Sequence, residues 1–347
     1  MLLKLSKYAS YLYIKSSLKN QWVIDGIMRF INLPILAKLY YRLYYPMILR
    51  KRSSRPQQIA IETYNICNLK CIMCPYLKMS RPKMKMPMGL FQKIVDDASQ
   101  NGFTEINLTL YSEPLLDDLI FERIAYAKGK GLKVGLTSNG TLLTNDKSKE
   151  IIESRLDWIF LSIDGNTKES YERIRVGANF EDTCANIREL IKLRRQKNAS
   201  KPLIIIHSTV LTKDNLHASK LLMPILKGAD HFTMALADSR REEKFFFARN
   251  SFLKVHKTRL YPCPILWGAP SVMSNGKVNL CCKDYDGSIE LGDLNKQTIE
   301  EIMSSDKLNK IKELHLRGEA DKIELCKNCD SLYRASLSWW VKPEIKV

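Results

Sequence analysis

Cys67, Cys71 and Cys74 form a C-x3-C-x2-C run, CNLKCIMC, in a chain of 347 residues. Three thiolates this close can hold three corners of a [4Fe–4S] cube and leave the fourth iron open, which is the coordination that chemistry at a metal requires. The same spacing suits a zinc knuckle that draws its fourth ligand from elsewhere. A second set, Cys263, Cys281, Cys326 and Cys329, ends in a C-x2-C pair. Four thiolates can close every corner of a cube or build a tetrahedral zinc ribbon. The nine cysteines are odd in number and no stretch reads as an export signal, which argues for metal ligands in a reducing compartment rather than disulfides. Cys282 is left over beside Cys281, as an alternative ligand, an inert thiol or a hydrogen-atom donor, and Cys184 falls on the core side of a helical pattern.

Positioning these thiols requires a scaffold. Apolar, β-branched runs at 59–63, 104–110, 132–137, 158–163, 203–211 and 231–237 read as strands. Helical patterns lie between them near 90–101, 117–130, 146–155, 179–196 and 214–227. Strands alternating with helices predict βαβ units and a parallel sheet, an open sheet or a partial barrel. No G-x-G-x-x-G follows any strand, so the dinucleotide fingerprint is missing. Beyond about residue 238 the rhythm breaks. Short strands at 271–273 and 277–281 flank a Ser274-Asn275-Gly276 turn, and a helix is expected over 297–316. The expected organisation is an N-terminal helical segment (1–56), a barrel (57–240), a linker (241–262) and a small α+β cluster domain (263–347). His207 and His231 lie within apolar strands and read as interior residues, with no metal assigned to either.

Charge adds a constraint. Lys and Arg (55) exceed Asp and Glu (37), giving a formal net charge of +18. Residues 1–55 hold eleven basic side chains against Asp25 alone, so they carry more than half of that excess. The longest uncharged run there, 30–37, covers eight residues, too few for a membrane span of about 20. The expected location is therefore cytoplasmic. A basic, aromatic-rich amphipathic helix of this kind either lies on an anionic bilayer or packs across the barrel with its charges in water. The sequence leaves both open.

The residues 61–75, IETYNICNLKCIMCP, resemble the signature of the radical S-adenosylmethionine (SAM) enzymes. The resemblance implies a partial (β/α)6 TIM barrel, with Cys67, Cys71 and Cys74 holding a [4Fe–4S] cluster whose open iron is chelated by SAM. It also implies reductive cleavage of SAM to a 5′-deoxyadenosyl radical that abstracts a substrate hydrogen atom. Further segments match in order. Ser112-Glu113-Pro114 resembles the family's G-E-P segment at the methionyl amino group. Asn139, in Thr137-Ser138-Asn139-Gly140, sits in the segment after the third strand. Ser162 and Asp164 match residues near the ribose and methionyl group, and Arg175 matches an arginine that pairs with the SAM carboxylate. Met73 stands where the family often has an aromatic residue and can pack beside adenine through its thioether. Cys263, Cys281, Cys326 and Cys329 resemble the C-terminal SPASM/twitch extension, in its shorter form with one auxiliary [4Fe–4S] cluster. That form is similar to the aminocyclitol radical SAM dehydrogenases.

The expected activity is a radical SAM oxidoreductase that dehydrogenates a small polar substrate: a sugar, a cyclitol, or a phosphorylated or lipid-linked intermediate. The expected reductant is a flavodoxin- or ferredoxin-type donor. Ribosomal-peptide maturation and radical epimerisation are alternatives on the same core. From another class, the high pI of about 9.4 raises a zinc-stabilised nucleic-acid-binding protein. Little aromatic interleaving in the basic runs of the C-terminal two thirds disfavours nucleic acid as a partner.

Overall fold

A computed structural model describes residues 58–165, 167–211, 222, 225, 227–236, 262–267, 269–327 and 329. The N-terminal segment, the 241–262 linker apart from Pro262, most of the 214–227 helix and everything after Cys329 lie outside the described residues, as do the expectations placed on them.

Six strands form the first part of one sheet: β1 (Gln58–Ile61), β2 (Glu105–Asn107), β3 (Lys133–Ser138), β4 (Trp158–Ser162), β5 (Leu203–Val210) and β6 (His231–Leu236). Each pairs with the next in parallel and in sequential order. Sequential parallel strands joined by right-handed crossovers place their helices on one face and curve the sheet into a partial (β/α)6 barrel. The fold expectation holds. Residues of period two that turn toward the helices, such as Ile59 and Ile61, Val134 and Leu136, Ile159 and Leu161, Ile204 and Ile206, are buried completely.

The helices supply matching stripes. α1 (Met88–Gln100) buries Phe91, Ile94, Val95 and Ala98, and α2 (Ile120–Gly129) buries Ile120, Arg123, Ile124 and Ala127. Arg123 lies inside because Asp117 accepts from its Nε at 2.9 Å and the Met86 carbonyl accepts from Nη2 at 2.5 Å. α3 (Asn145–Glu153) starts on Thr144, whose side chain accepts from the Lys147 amide. α4 (Lys168–Ile174), which the sequence patterns missed, starts on a Thr167–Ser170 capping box. α5 (Phe180–Gln196) is capped by Asn179 and packs Cys184 into the core as expected.

Three C-terminal strands, β7 (Ser271–Val272), β8 (Lys277–Asn279) and β9 (Glu290–Asp293), continue the same sheet. β7 runs parallel to β1, and β8 and β9 follow antiparallel, making nine strands in the order β6-β5-β4-β3-β2-β1-β7-β8-β9. The expected helix over 297–316 is two helices, α6 (Ile299–Met303) and α7 (Asp306–Leu316). Adjacent serines divide them: Ser304 bonds back to the Glu300 carbonyl, and Ser305 caps α7 by accepting from the Leu308 amide. A short α8 (Glu324–Lys327) carries Cys326.

Candidate metal and cofactor centre

β1 delivers the chain to its carboxyl end, and the loop that leaves it carries Cys67, Cys71 and Cys74. Asn65 closes the base of this loop: its Nδ2 donates to the Pro82 carbonyl at 2.7 Å and its Oδ1 accepts from the Met84 amide at 2.7 Å. On the far side the Lys70 amide donates to the Val176 carbonyl and the Ile72 amide to the Ile174 carbonyl, at 2.9 and 3.0 Å. The segment after α4 thereby splints the cysteine loop. Met73 packs against Ile174 and Leu211.

The residues singled out at the other strand ends converge on this loop. Glu113 is buried, and its amide donates to the Ile66 carbonyl at 2.9 Å. Its carboxylate accepts from the Leu115 amide, the Ser138 hydroxyl and the Asn139 amide at 3.1, 2.8 and 2.7 Å. Asn139 Nδ2 donates to Asn68 Oδ1 at 2.8 Å and faces Cys67 Sγ at 4.0 Å. Thr141 completes a ring, its hydroxyl accepting from Asn68 Nδ2 and donating to Asn139 Oδ1. Asp164 is buried completely: Oδ1 accepts from the Thr209 amide at 2.6 Å, and Oδ2 lies 2.7 Å from Arg175 Nη2. Pro114 is buried and opens a short 3-10 turn, whereas Ser112 is half-buried. Ser162 is buried at the end of β4, in register with His207.

Burial governs the electrostatics. It pushes the Cys67 thiol up, and the Cys71 thiol up to about 12, with the neighbouring thiols raising both further. It also raises the Glu113 carboxyl, against the hydrogen bonds it accepts. For Arg175, burial opposes the charge but the Asp164 carboxylate outweighs it, so the guanidinium stays cationic beside Cys71. Thiols held this way are neutral alone and become thiolates when a metal compensates their charge. The donor set therefore fits an iron–sulfur cluster.

The second thiol group lies around β8. Cys263 precedes a 3-10 turn (Pro264–Trp267), Cys281 follows β8, Cys326 is on α8, and the Cys329 amide donates to the Cys326 carbonyl at 3.1 Å. Burial pushes Cys263 up to about 12 and Cys281 well above the ordinary thiol range, with Cys329 raising both. Cys282 is exposed. Among the described residues no three His, Cys, Asp or Glu side chains draw together as tightly as a single metal ion demands, whereas a cubane spreads its thiolates over separate irons. His207 bonds Thr233 Oγ1 through Nδ1 at 2.9 Å, while His231, expected inside, is exposed at the start of β6.

Several positioning residues escaped the sequence patterns. Asn68 bonds Asn139 and Thr141 across to the loop after β3, Ser138 donates to Glu113 after β2, and Gly165 takes φ +100°, where a Cβ would meet Ser170 Oγ and the Tyr171 amide nitrogen at 2.7 Å. Tyr111 donates its hydroxyl to the Cys282 carbonyl and stacks edge-on to Tyr285, with ring centroids 6.1 Å apart. Arg81, in the return arm of the cysteine loop, grips buried Glu62 through two bonds of 2.7 and 3.0 Å and donates Nε to the Tyr285 carbonyl.

A parallel partial barrel with a three-cysteine loop at the end of its first strand, joined to a second thiol group, defines the class. Residues 61–215 match the Radical SAM superfamily, and residues 263–330 match SPASM, an iron–sulfur cluster-binding domain. The chain carries a radical SAM domain and a SPASM domain. It is 30% identical over 162 residues to the tungsten-containing aldehyde ferredoxin oxidoreductase cofactor-modifying protein of Pyrococcus furiosus, a stretch that is 45% of this chain and 44% of that one. The matched stretches span about half the length of such curated relatives. In fold it is similar to BtrN in complex with AdoMet and 2-DOIA (TM-score 0.56, 17% identity, 79% of this chain and 92% of that one). It is also similar to Streptococcus suis SuiB bound to the precursor peptide SuiA (TM-score 0.58, 14% identity, 86% and 73%). Among the described residues no helix is long and apolar enough to cross a membrane.

Proposed function

We propose that this protein is a radical SAM dehydrogenase of a small polar substrate. The observation that carries this reading is the joining of the two thiol groups. β7 pairs with β1, the strand that feeds the cysteine loop, and Tyr111, in the loop after β2, bonds the Cys282 carbonyl beside Cys281. The two thiol groups are thus tied to one sheet, which supports a one-electron site and a second redox site working together in a two-electron oxidation.

Cys67, Cys71 and Cys74 would hold the first cluster, which with SAM supplies a 5′-deoxyadenosyl radical. Cys263, Cys281, Cys326 and Cys329 would hold a fully thiolate-bound cluster, which supplies an electron acceptor. Arg175 offers its guanidinium to the SAM carboxylate while Asp164 holds it in place. Glu113 keeps the Ser138–Asn139 turn in place and retains acceptor capacity for the methionyl ammonium. Met73, with Ile174 and Leu211, gives the adenine an apolar wall and keeps water away. Ser162, His207 and Thr233, in register across β4, β5 and β6, line the concave side with hydrogen-bonding groups suited to a hydroxylated substrate.

Anaerobic reconstitution tests the reading. The expected result is absorbance near 400 nm and about eight irons per chain, with 5′-deoxyadenosine formed from SAM and dithionite. Cys71→Ala should abolish SAM cleavage. Cys326→Ala should spare it while stopping carbonyl formation in a panel of sugars, cyclitols and their phosphates. Protein that binds no iron, or a Cys326→Ala variant that still oxidises, would sink the proposal.

A further inference from the structure

The strand registers put six residues in one row across the sheet: Asn279 on β8, Ser271 on β7, Ala60 on β1, Asn107 on β2, Gly135 on β3 and Trp158 on β4. Side chains alternate along a strand, so partners in register share a face. The chain neighbours Ile59, Ile61, Ile106, Val134, Ile159 and Val272 are completely buried on the helix side, so the row faces the concave side. A closed barrel fills such inward positions with bulky branched side chains. Here they are alanine, glycine and three short polar residues beside one indole, and Ala60, Asn107 and Trp158 are only half-buried.

The polar members are not satisfied. Asn107 Oδ1, Ser271 Oγ and Asn279 Oδ1 are buried atoms without a hydrogen-bond partner. Ser271 and Asn279 are 1% and 2% exposed as whole residues. Buried polar groups are nearly always bonded, so three orphans on one face require donors from outside the chain. The Asn279 amide cannot turn to change this, because its Nδ2 donates to the Asp284 carbonyl at 2.7 Å and leaves Oδ1 as the acceptor. At the other end of the row the Trp158 indole lies over Gly135, where a Cβ would collide with the ring. An aromatic wall beside a few placed acceptors is the make-up of a small-molecule site. No charged side chain stands in the row, and Glu62, two residues along β1, is held by Arg81.

We infer that Asn107, Ser271 and Asn279 are specificity-determining residues, accepting from the hydroxyl or amino groups of one substrate ring laid over Ala60 beside Trp158. Asn107 and Ser271 are two strand spacings apart, about 10 Å, which one six-membered ring with its substituents spans. The inference rests on the proposed function and narrows it: acceptor oxygens without a cation suit a free polyol or aminopolyol ring and reject a phosphate at that end. Ser271 and Asn279 lie within residues 263–330, so the SPASM part reads the substrate besides carrying thiols.

Calorimetry on the reconstituted full chain with SAM tests this, with myo-inositol, glucosamine and the phosphate ester of each as probes. The variants are Asn107→Ala, Ser271→Ala and Ala60→Val, each also followed by urea unfolding. Ser271→Ala deletes an orphaned hydroxyl, so it should be at least as stable as wild type. The expected result is binding of a free polyol, weakened about tenfold in each alanine variant, with the esters binding no better than their parents. Ala60→Val touches no hydrogen-bonding group and should weaken binding by occupying the floor, which decides the matter if an alanine variant fails to fold. Unchanged affinity in the folded variants would overturn the inference. So would esters that bind more tightly than their parents, or binding of none of the four probes. A Ser271→Ala chain that loses stability together with affinity would make the hydroxyl structural and overturn it too. Dithionite-driven 5′-deoxyadenosine formation by the wild type without any polyol reports on the proposed function alone, so the two failures are distinguishable.

Discussion

Arg175 Nη2 lies 2.7 Å from Asp164 Oδ2, and both side chains are buried beside the loop that carries Cys71. The pair joins the end of β4 to the residue after α4, and the Thr209 amide ties it to β5. Removing one partner of a buried pair strands the other charge, which costs about 3–5 kcal/mol. Asp164→Asn should therefore lower the urea midpoint at unchanged slope. It should also weaken SAM binding, followed by calorimetry on reconstituted protein. A variant as stable as wild type would show that Arg175 finds its partner elsewhere.

Gly165 follows Asp164 at φ +100°, against the first turn of α4. An added Cβ would meet main-chain atoms that cannot step aside. Gly165→Ala should destabilise the protein by about 1–3 kcal/mol, read from thermal or urea unfolding, and disturb the Asp164–Arg175 pair with it.

At the opposite end of the barrel, Asp157 accepts from Lys128 Nζ at 2.6 Å and the Val134 amide at 2.8 Å, and pairs with Lys201. Burial pushes this carboxyl up, but the bonds from Lys128 and Lys201 outweigh it and hold it below the ordinary carboxylate range. A depressed carboxyl contributes stability that is complete above its unfolded pKa and is lost as pH falls through the folded one. Asp157→Asn should cost about 2 kcal/mol at pH 7. The difference from wild type should vanish under acid conditions, and a difference that persists there would assign the effect to packing.

Cys71 and Cys263, both pushed up to about 12 by burial, are protonated in metal-free protein. Loading with ferrous iron and sulfide must therefore release protons. A pH-indicator dye should report acidification during anaerobic reconstitution, and incorporation should weaken as pH is lowered. A release that is unchanged in Cys71→Ala would place the protons elsewhere.

The six parallel strands were legible because buried parallel strands are nearly continuous β-branched runs. Their carboxyl ends were less so. The strand expected over 104–110 stops at Asn107 because the Thr109 hydroxyl replaces the main chain, accepting from the Thr137 amide and donating to its carbonyl. The cysteine sets were legible because metal chemistry fixes ligand spacing within a few residues. Glu62–Arg81 and the pairing of β7 with β1 left no such trace, since partners far apart in sequence impose no local period. β9, reading Glu-Leu-Gly-Asp, is short and polar and resembles a turn. His231 misled because an apolar run around a residue does not fix how deep its first position lies.

The attachment of β7 bears on how the edge of the sheet is covered. The Ala60 amide donates to the Pro270 carbonyl and the Glu62 amide to that of Val272. Without residues 270–272, the first strand would end the sheet as a bare row of amides, a template on which other chains polymerise. The cysteine-rich tail is thus the hem of the half-barrel. Shortening the chain ahead of it would produce a sticky rim, so inclusion bodies rather than a trimmed catalyst are the expected yield.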